Sequence, residues 1–172
     1  MTKLSIITIN YNDIEGLRRT FYSVVNQSFK DFECIVIDGG SDDGSKEFLE
    51  DNRLYFHYWV SEPDKGIYNA MNKGILAANG EYLLFLNSGD TFYKSNTLFE
   101  CLKIMKTNDV DIFYGNNILI DEKMNESKTF YPPKVDFSYF MNNSFCHQSS
   151  FIKKDKLIEI GMYDENLKIV SD

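Results

Sequence analysis

Four short apolar runs, each breaking abruptly into a polar loop, govern what this chain can fold into. Leu4 to Ile9, Glu33 to Ile37, Tyr55 to Val60 and Tyr82 to Leu86 are rich in β-branched and aromatic residues. Runs of this length without polar alternation are strands covered on both faces. Amphipathic stretches lie between them. Asp13 is placed to cap a helix whose apolar residues Ile14, Leu17, Phe21, Val24 and Val25 recur at helical spacing. A short helix through Phe48 and Leu49 follows the second run, and Gly66 to Ala78 reads as a helix with Ile67, Met71, Ile75 and Ala78 inward. Ser95 is expected to cap a further helix carrying Leu98, Leu102 and Met105. This alternation predicts an α/β fold, a mainly parallel sheet flanked by helices on both faces. Ligands of such sheets bind at the carboxyl ends of the strands. Three polar loops, Asn10 to Asn12, Asp38 to Asp43 and Asn87 to Asp90, are therefore expected to converge on one crevice.

Past residue 107 the pattern loosens. Asp111 to Ile120 reads as one or two strands, Glu122 to Lys134 as a polar, mobile connection through Pro132-Pro133, and Phe145 to Ile152 as a strand. Asp155 to Ile160 reads as a short helix closed by Gly161. No linker divides the chain, so residues 1–172 are expected to form one domain.

Charge narrows the partners. A net charge of −8 argues against nucleic acid, whose phosphates call for a basic surface. It leaves room for a nucleotide, because a bound metal ion can locally overcome an acidic site. The cysteines Cys34, Cys101 and Cys146 are far apart and lack metal-ligand spacing, which reads as thiols in a reducing compartment. The N-terminus does not read as a secretion signal, and no apolar stretch approaches the ~18 residues of a transmembrane helix.

Several residues could carry chemistry, and each has a plainer alternative. Asp38 ends an apolar strand and opens a Gly-rich loop, where a carboxylate can accept from a base imide N–H or a ribose hydroxyl; it can equally be a turn former. Asp90 ends the fourth run and suits Mg²⁺ or Mn²⁺, which prefer oxygen donors shared with substrate phosphates, or it serves only as a turn aspartate. Glu62, Asp64 and Lys65 precede a helix start, where an anion or hydroxyls can be held or a turn simply capped. His147 lies in a strand-like segment and reads first as a structural histidine, as does His57. For Asp172, the last residue, composition offers nothing.

Taken in order, these segments resemble the family 2 inverting glycosyltransferases, which have a GT-A type, Rossmann-like sheet. Leu4 through Asn12 is similar to the family's opening strand, with Ile9 where proline is common. Phe32 through Ser41 resembles its nucleotide-base strand, with Gly39 replacing a frequent second aspartate. Glu62 through Gly74 looks like a subgroup that builds bacterial surface polysaccharides, and Gly80 through Asp90 like the strand leading to the metal motif. Gln148 through Asp172 resembles the acceptor-side segment, which runs into an acidic catalytic position.

The resemblance implies a nucleotide-sugar half over 1–107 and an acceptor-side half over 108–172, with relatives continuing further as though this chain were cut short. It implies that Asp38 contacts uracil or an equivalent base, that the backbone around Thr8 and Asn10 borders the same pocket, and that Asp64 and Lys73 line the donor side. His147 joins the substrate-binding set, Asp90 would bind the divalent metal, Mn²⁺ or Mg²⁺, and Asp172 would be the general base. A glycan or lipid-linked sugar would be the acceptor, in the cytoplasm or at the cytoplasmic membrane face. Asn87 and Gly89 stand where the metal motif usually has further aspartates, so metal binding would rest on Asp90 and the diphosphate. That reduced motif also fits a non-catalytic nucleotide- or carbohydrate-binding module derived from such an enzyme. A nucleotidyltransferase would need a basic Gly-rich loop after the first strand, and a dinucleotide-binding dehydrogenase a Gly-x-Gly-x-x-Gly turn; the sequence carries neither.

Overall fold

The chain runs β1 (Leu4–Asn10), α1 (Ile14–Val25), β2 (Glu33–Asp38), α2 (Ser45–Asp51), β3 (Tyr58–Ser61), α3 (Ile67–Ala77), β4 (Tyr82–Phe85) and α4 (Thr97–Met105). It continues as β5 (Ile112–Tyr114), a hairpin of β6 (Asn117–Ile120) and β7 (Glu126–Thr129), a single turn α5 (Phe137–Phe140), β8 (Ser150–Lys153) and α6 (Lys154–Glu159). The computed structural model describes residues 4–121 and 123–167. Six strands form one sheet in the order β3-β2-β1-β4-β8-β5, and β6 pairs only with β7. β1 through β4 are mutually parallel, whereas β8 runs antiparallel to both β4 and β5.

The strands lack polar alternation because both faces are covered. On one face, Leu4 and Ile6 pack with Cys34, Leu84 and the α4 residues Leu98 and Leu102. On the same face, α1 and α2 lay Leu17, Phe21, Phe48 and Leu49 over Val36. On the other, Ile7 and Ile9 pack with Ile35, Ile37 and the α3 residues Met71 and Ile75. Burying a dozen such side chains at ~1.5–3 kcal/mol each supplies the main driving force for this arrangement. The expected α/β sheet with helices on both sides is what forms.

Five local expectations need correction. Ile67 is 46% exposed, and Tyr68 turns inward in its place. Ser95 does not cap α4. That helix starts after Asn96, and its Leu98 N–H donates to Gln27 Oε1, a cap supplied from beyond the end of α1. Residues 53–55 form a 3-10 turn, so β3 begins only at Tyr58; just before it, His57 Nδ1 accepts from Cys34 N–H while His57 N–H donates to Cys34 O. The polar segment expected to be a mobile connection contains β7. Residues 147–149 are a 3-10 turn, and β8 begins at Ser150 rather than Phe145.

At the amino-terminal end of the sheet, buried Glu33 accepts from Ser5 Oγ (2.5 Å), Asn79 N–H (2.7 Å) and Asn79 Nδ2 (2.9 Å). Burial pushes its carboxyl up, but these hydrogen bonds outweigh that and hold it below its ordinary 4.5. A carboxyl depressed by folding stabilises above its unfolded pKa and loses that contribution as pH falls through its folded value. Urea unfolding measured from pH 7 downward should therefore show stability declining below about pH 4.5. Glu33→Gln, which faces the same donors with an N–H of its own, should lower stability at pH 7 by about 2 kcal/mol and flatten the acid limb. A Glu33→Gln protein with wild-type stability at pH 7 would show that the cluster is idle.

Candidate active site

The strand order creates a switch point. From β1 the chain moves outward to β2 and β3, then returns to place β4 on the opposite side of β1. Loops leave such a point in opposite directions and open a crevice at the carboxyl ends. A cleft of about 600 Å³ opens there, lined by Asn10, Tyr11 and Asp13 after β1, Gly39 after β2, Asp64 after β3 and Asn87 after β4. The three loops expected to converge do so, and the loop after β3 joins them. A second recess of about 600 Å³ lies at the far end of β4, between Tyr82 and Met105. None of the carboxyl-end loops reaches it.

The cleft floor is a closed hydrogen-bond network around Asp38. Its Oδ1 accepts from Asn10 Nδ2 (2.6 Å) and Ser41 Oγ (2.5 Å); its Oδ2 accepts from Ser61 Oγ (2.6 Å) and Ser41 N–H (3.0 Å). Burial pushes its carboxyl up, yet the bonds from Ser41, Ser61 and Asn10 hold it below 3.8. Asn10 Oδ1 in turn accepts from Ser88 Oγ (2.7 Å), linking the loop after β4 to the same node. Asp38 was expected to contact the base. It is 0% exposed, and each of its oxygens accepts two hydrogen bonds. Thr8 itself is 3% exposed inside β1, and the cleft wall begins with the residues after it, Ile9 and Asn10.

The second half of the site is the turn Asn87–Asp90. Thr20, fully buried on α1, holds it through Oγ1: it accepts from Gly89 N–H (3.0 Å) and reaches Asp90 O (2.8 Å) and Asn87 O (3.1 Å). Gly16 lets α1 come this close, since a Cβ there would collide with the Asp13 carboxylate and sit 2.8 Å from Gly89 N. The 3-10 turn before β8 reaches the same place. His147 Nε2 lies 3.1 Å from Asn87 Nδ2, and Gln148 hydrogen-bonds the Asp90 carboxylate. Burial raises Asp90 above 3.8 despite the nearby His147, the Asn87 backbone contact and Gln148. Asn87 Oδ1 is buried without a partner. Among the described residues no group of three or more His, Cys, Asp or Glu is placed to hold a metal. One half-buried carboxylate and one unpartnered amide oxygen carried on the same turn nonetheless fit Mg²⁺ or Mn²⁺, which take few protein oxygens and complete their shell with phosphates and water.

The remaining residues frame the cleft. Asp64 lies on its wall, with Oδ1 accepting from Gly66 N–H (2.8 Å). Lys73 lies outside it, paired with Glu62 at 2.7 Å. Asn72 on α3 clamps the chain after α6: its Nδ2 donates to Tyr163 O (2.9 Å), its Oδ1 accepts from Tyr163 N–H (3.0 Å), and Nδ2 also reaches Glu165 Oε1 (2.9 Å). Asp172 lies outside the described residues. The structure thus unites Asn10, Asp38 and Asp64 around the cleft, and Asp90 with His147 beside Asn87. Tyr11, Asp13, Asn87 and Gln148 were not singled out individually as site residues. The available signal was position: Tyr11 and Asn87 directly follow buried strands, and Tyr11 is 68% exposed despite its aromatic ring.

A switch-point cleft ringed by four strand-end loops, with one antiparallel strand returning to the rim, matches the sheet of the GT-A fold. The chain belongs to glycosyl transferase family 2, whose family model matches residues 5–161. It is 35% identical over 173 residues to an uncharacterized glycosyltransferase of Mycobacterium tuberculosis strain H37Rv, covering 98% of this chain and 65% of that one. It is 29% identical to a PGL/p-HBAD biosynthesis glycosyltransferase of Mycobacterium bovis BCG, again over 98% of this chain and 66% of the relative. The chain therefore spans about two thirds of the length of these relatives. Among solved structures, Staphylococcus aureus TarS 1-349 in complex with UDP-GlcNAc superimposes with a TM-score of 0.78 at 20% identity, over 99% of this chain and 51% of that one. The mannosyltransferase PcManGT of Pyrobaculum calidifontis, in complex with GDP-Man and Mn²⁺, gives 0.69 at 16% identity, over 96% and 48%. At these identities the likeness is one of fold.

Asp38→Ala would strand the donors of Asn10, Ser41 and Ser61. It should destabilise the protein by about 3 kcal/mol, roughly 6–12 °C in melting temperature. A melting temperature within about 2 °C of wild type would mean the node does not tie the loops together.

Proposed function

We propose that this protein transfers a sugar from a nucleoside diphosphate donor, a UDP-sugar, to a hydroxyl of a glycan or lipid-linked acceptor, with inversion. The observation that carries the reading is the turn at the edge of the switch-point cleft that holds both the half-buried Asp90 carboxylate and the unpartnered Asn87 oxygen. A volume near 600 Å³ suits a nucleotide-sized ligand. Family membership and structural likeness to proteins solved with UDP-GlcNAc and with GDP-Man and Mn²⁺ support the same direction.

In this reading Asp90 and Asn87 Oδ1 would hold a divalent cation, which neutralises charge on the departing diphosphate. Gln148 and His147 orient the Asp90 carboxylate, and Thr20 fixes the backbone that carries it. Asp172 is the general base for the acceptor hydroxyl, work worth ~10²–10⁴-fold in such reactions. Asn72 on α3 fixes Tyr163 and Glu165, which precede Asp172 in the chain. The two halves, 1–107 and 108–172, act as one unit for donor and acceptor. The setting is bacterial surface polysaccharide synthesis on the cytoplasmic side. No helix of the described residues is long and apolar enough to cross a membrane.

A ligand that binds only the folded state raises its melting temperature. UDP with Mn²⁺ should raise that of this protein more than UDP alone and more than ADP with Mn²⁺. Asp90→Asn should erase the Mn²⁺-dependent part and keep the rest. A Mn²⁺-dependent shift that survives Asp90→Asn removes Asp90 from the metal site.

A further inference from the structure

A guanidinium without a partner stands at the edge of the Asp90 turn. A Cβ built on Gly89 would lie 3.8 Å from Arg19 Nη2 and 3.9 Å from Asp13 Oδ2. Gly89 sits at φ +95°, a conformation that favours glycine, so residue 89 puts no side chain between these groups and the turn. Asp13 lines the cleft, which places Arg19 at its rim. The fold fixes that placement, because Thr20, next to Arg19 on α1, accepts from Gly89 N–H at 3.0 Å. Other cations nearby are engaged. Arg18 lies over the Phe48 ring at 4.7 Å, Lys73 is paired with Glu62 at 2.7 Å, and Lys65 acts on Glu165. Among the described residues Arg19 makes no hydrogen bond, ion pair or ring contact.

Resting on the function proposed above, we infer that Arg19 binds the donor's diphosphate across the bare Gly89 backbone and carries the part of donor affinity that needs no metal. The reason is charge. A nucleoside diphosphate in the cleft brings its phosphates to an edge that already holds two carboxylates, Asp13 and Asp90. Like charges at such range repel, and the chain as a whole carries −8. A guanidinium at that edge offsets the repulsion, and its planar fork meets two phosphate oxygens at once. Asp13 does not occupy the fork. Its Oδ1 accepts from Gly16 N–H at 2.9 Å, and no ion pair joins it to Arg19. Arg19 is exposed, so its side chain can turn to a phosphate without repacking the core.

The test is calorimetric titration of the wild-type chain, Arg19→Ala and Arg19→Lys with UDP and with uridine, each in Mn²⁺ and in EDTA, with melting curves to establish folding. Wild type in EDTA should prefer UDP over uridine by about 10-fold or more. Arg19→Ala should lose most of that margin while binding uridine as wild type does. Arg19→Lys, which keeps the charge and loses the fork, should fall between the two. In Mn²⁺ the loss on Arg19→Ala should be smaller. A margin in EDTA that survives Arg19→Ala overturns the inference, as does an equal loss of uridine affinity, which would make Arg19 a support of the fold. A wild-type margin seen only in Mn²⁺ also overturns it and leaves the proposed function standing. Wild-type protein that binds neither ligand in either condition overturns the proposed function and this inference with it.

Discussion

An ionised carboxylate sealed from water, Asp38, sets the terms for the whole carboxyl rim of this sheet. Taking such a charge out of solvent costs several kcal/mol unless its lone pairs are met. Here they are met from three places: Asn10 at the end of β1, Ser41 beyond β2 and Ser61 at the end of β3. Asn10 passes the connection to Ser88 after β4. Each loop is therefore held by the same node, and none can shift without exposing the charge or leaving a donor unpaired. A polar network of this kind, fully satisfied, makes the rim rigid before any ligand arrives.

Much of the fold was legible because the evidence for it is local. Both-face burial erases polar alternation from β1, β2 and β4, and helical spacing in Ile14 to Val25 carries straight into α1. The convergence of the loops followed from strand order alone. What was not legible depends on contacts between distant residues. Gln27 replaces Ser95 as the cap of α4 because the end of α1 happens to lie beside it, 71 positions away in sequence. The strand β7 hid in a polar run because all four of its residues are exposed, so no apolar period marks it. Asp38 stood out by position as a ligand group, yet only its four donors, spread over 51 residues of chain between Asn10 and Ser61, reveal that it is saturated.

The two key aspartates of the cleft illustrate how the same side chain acquires opposite character. Asp38 has donors enough to stay ionised while buried, and its carboxyl is held low. Asp90 has only Gln148, the Asn87 backbone and the nearby His147 against its burial, and its carboxyl is raised. One is electrostatically complete and serves the fold. The other has fewer donors, and burial outweighs them.

The reversed direction of β8 has a consequence for how this architecture can diversify. A parallel strand would enter the sheet from the rim opposite the cleft; β8 enters from the cleft side and so delivers residues 147 and 148 to Asp90 before it pairs with anything. Its pairing with β4 consists of Tyr82 with Lys153, Leu83 with Ile152 and Leu84 with Phe151, a backbone seam that asks little more of the incoming strand than two apolar side chains. The segment upstream of that seam is held at the rim by its contacts with Asp90 and Asn87 and not by strand pairing, so its sequence can change without redrawing the register of β4.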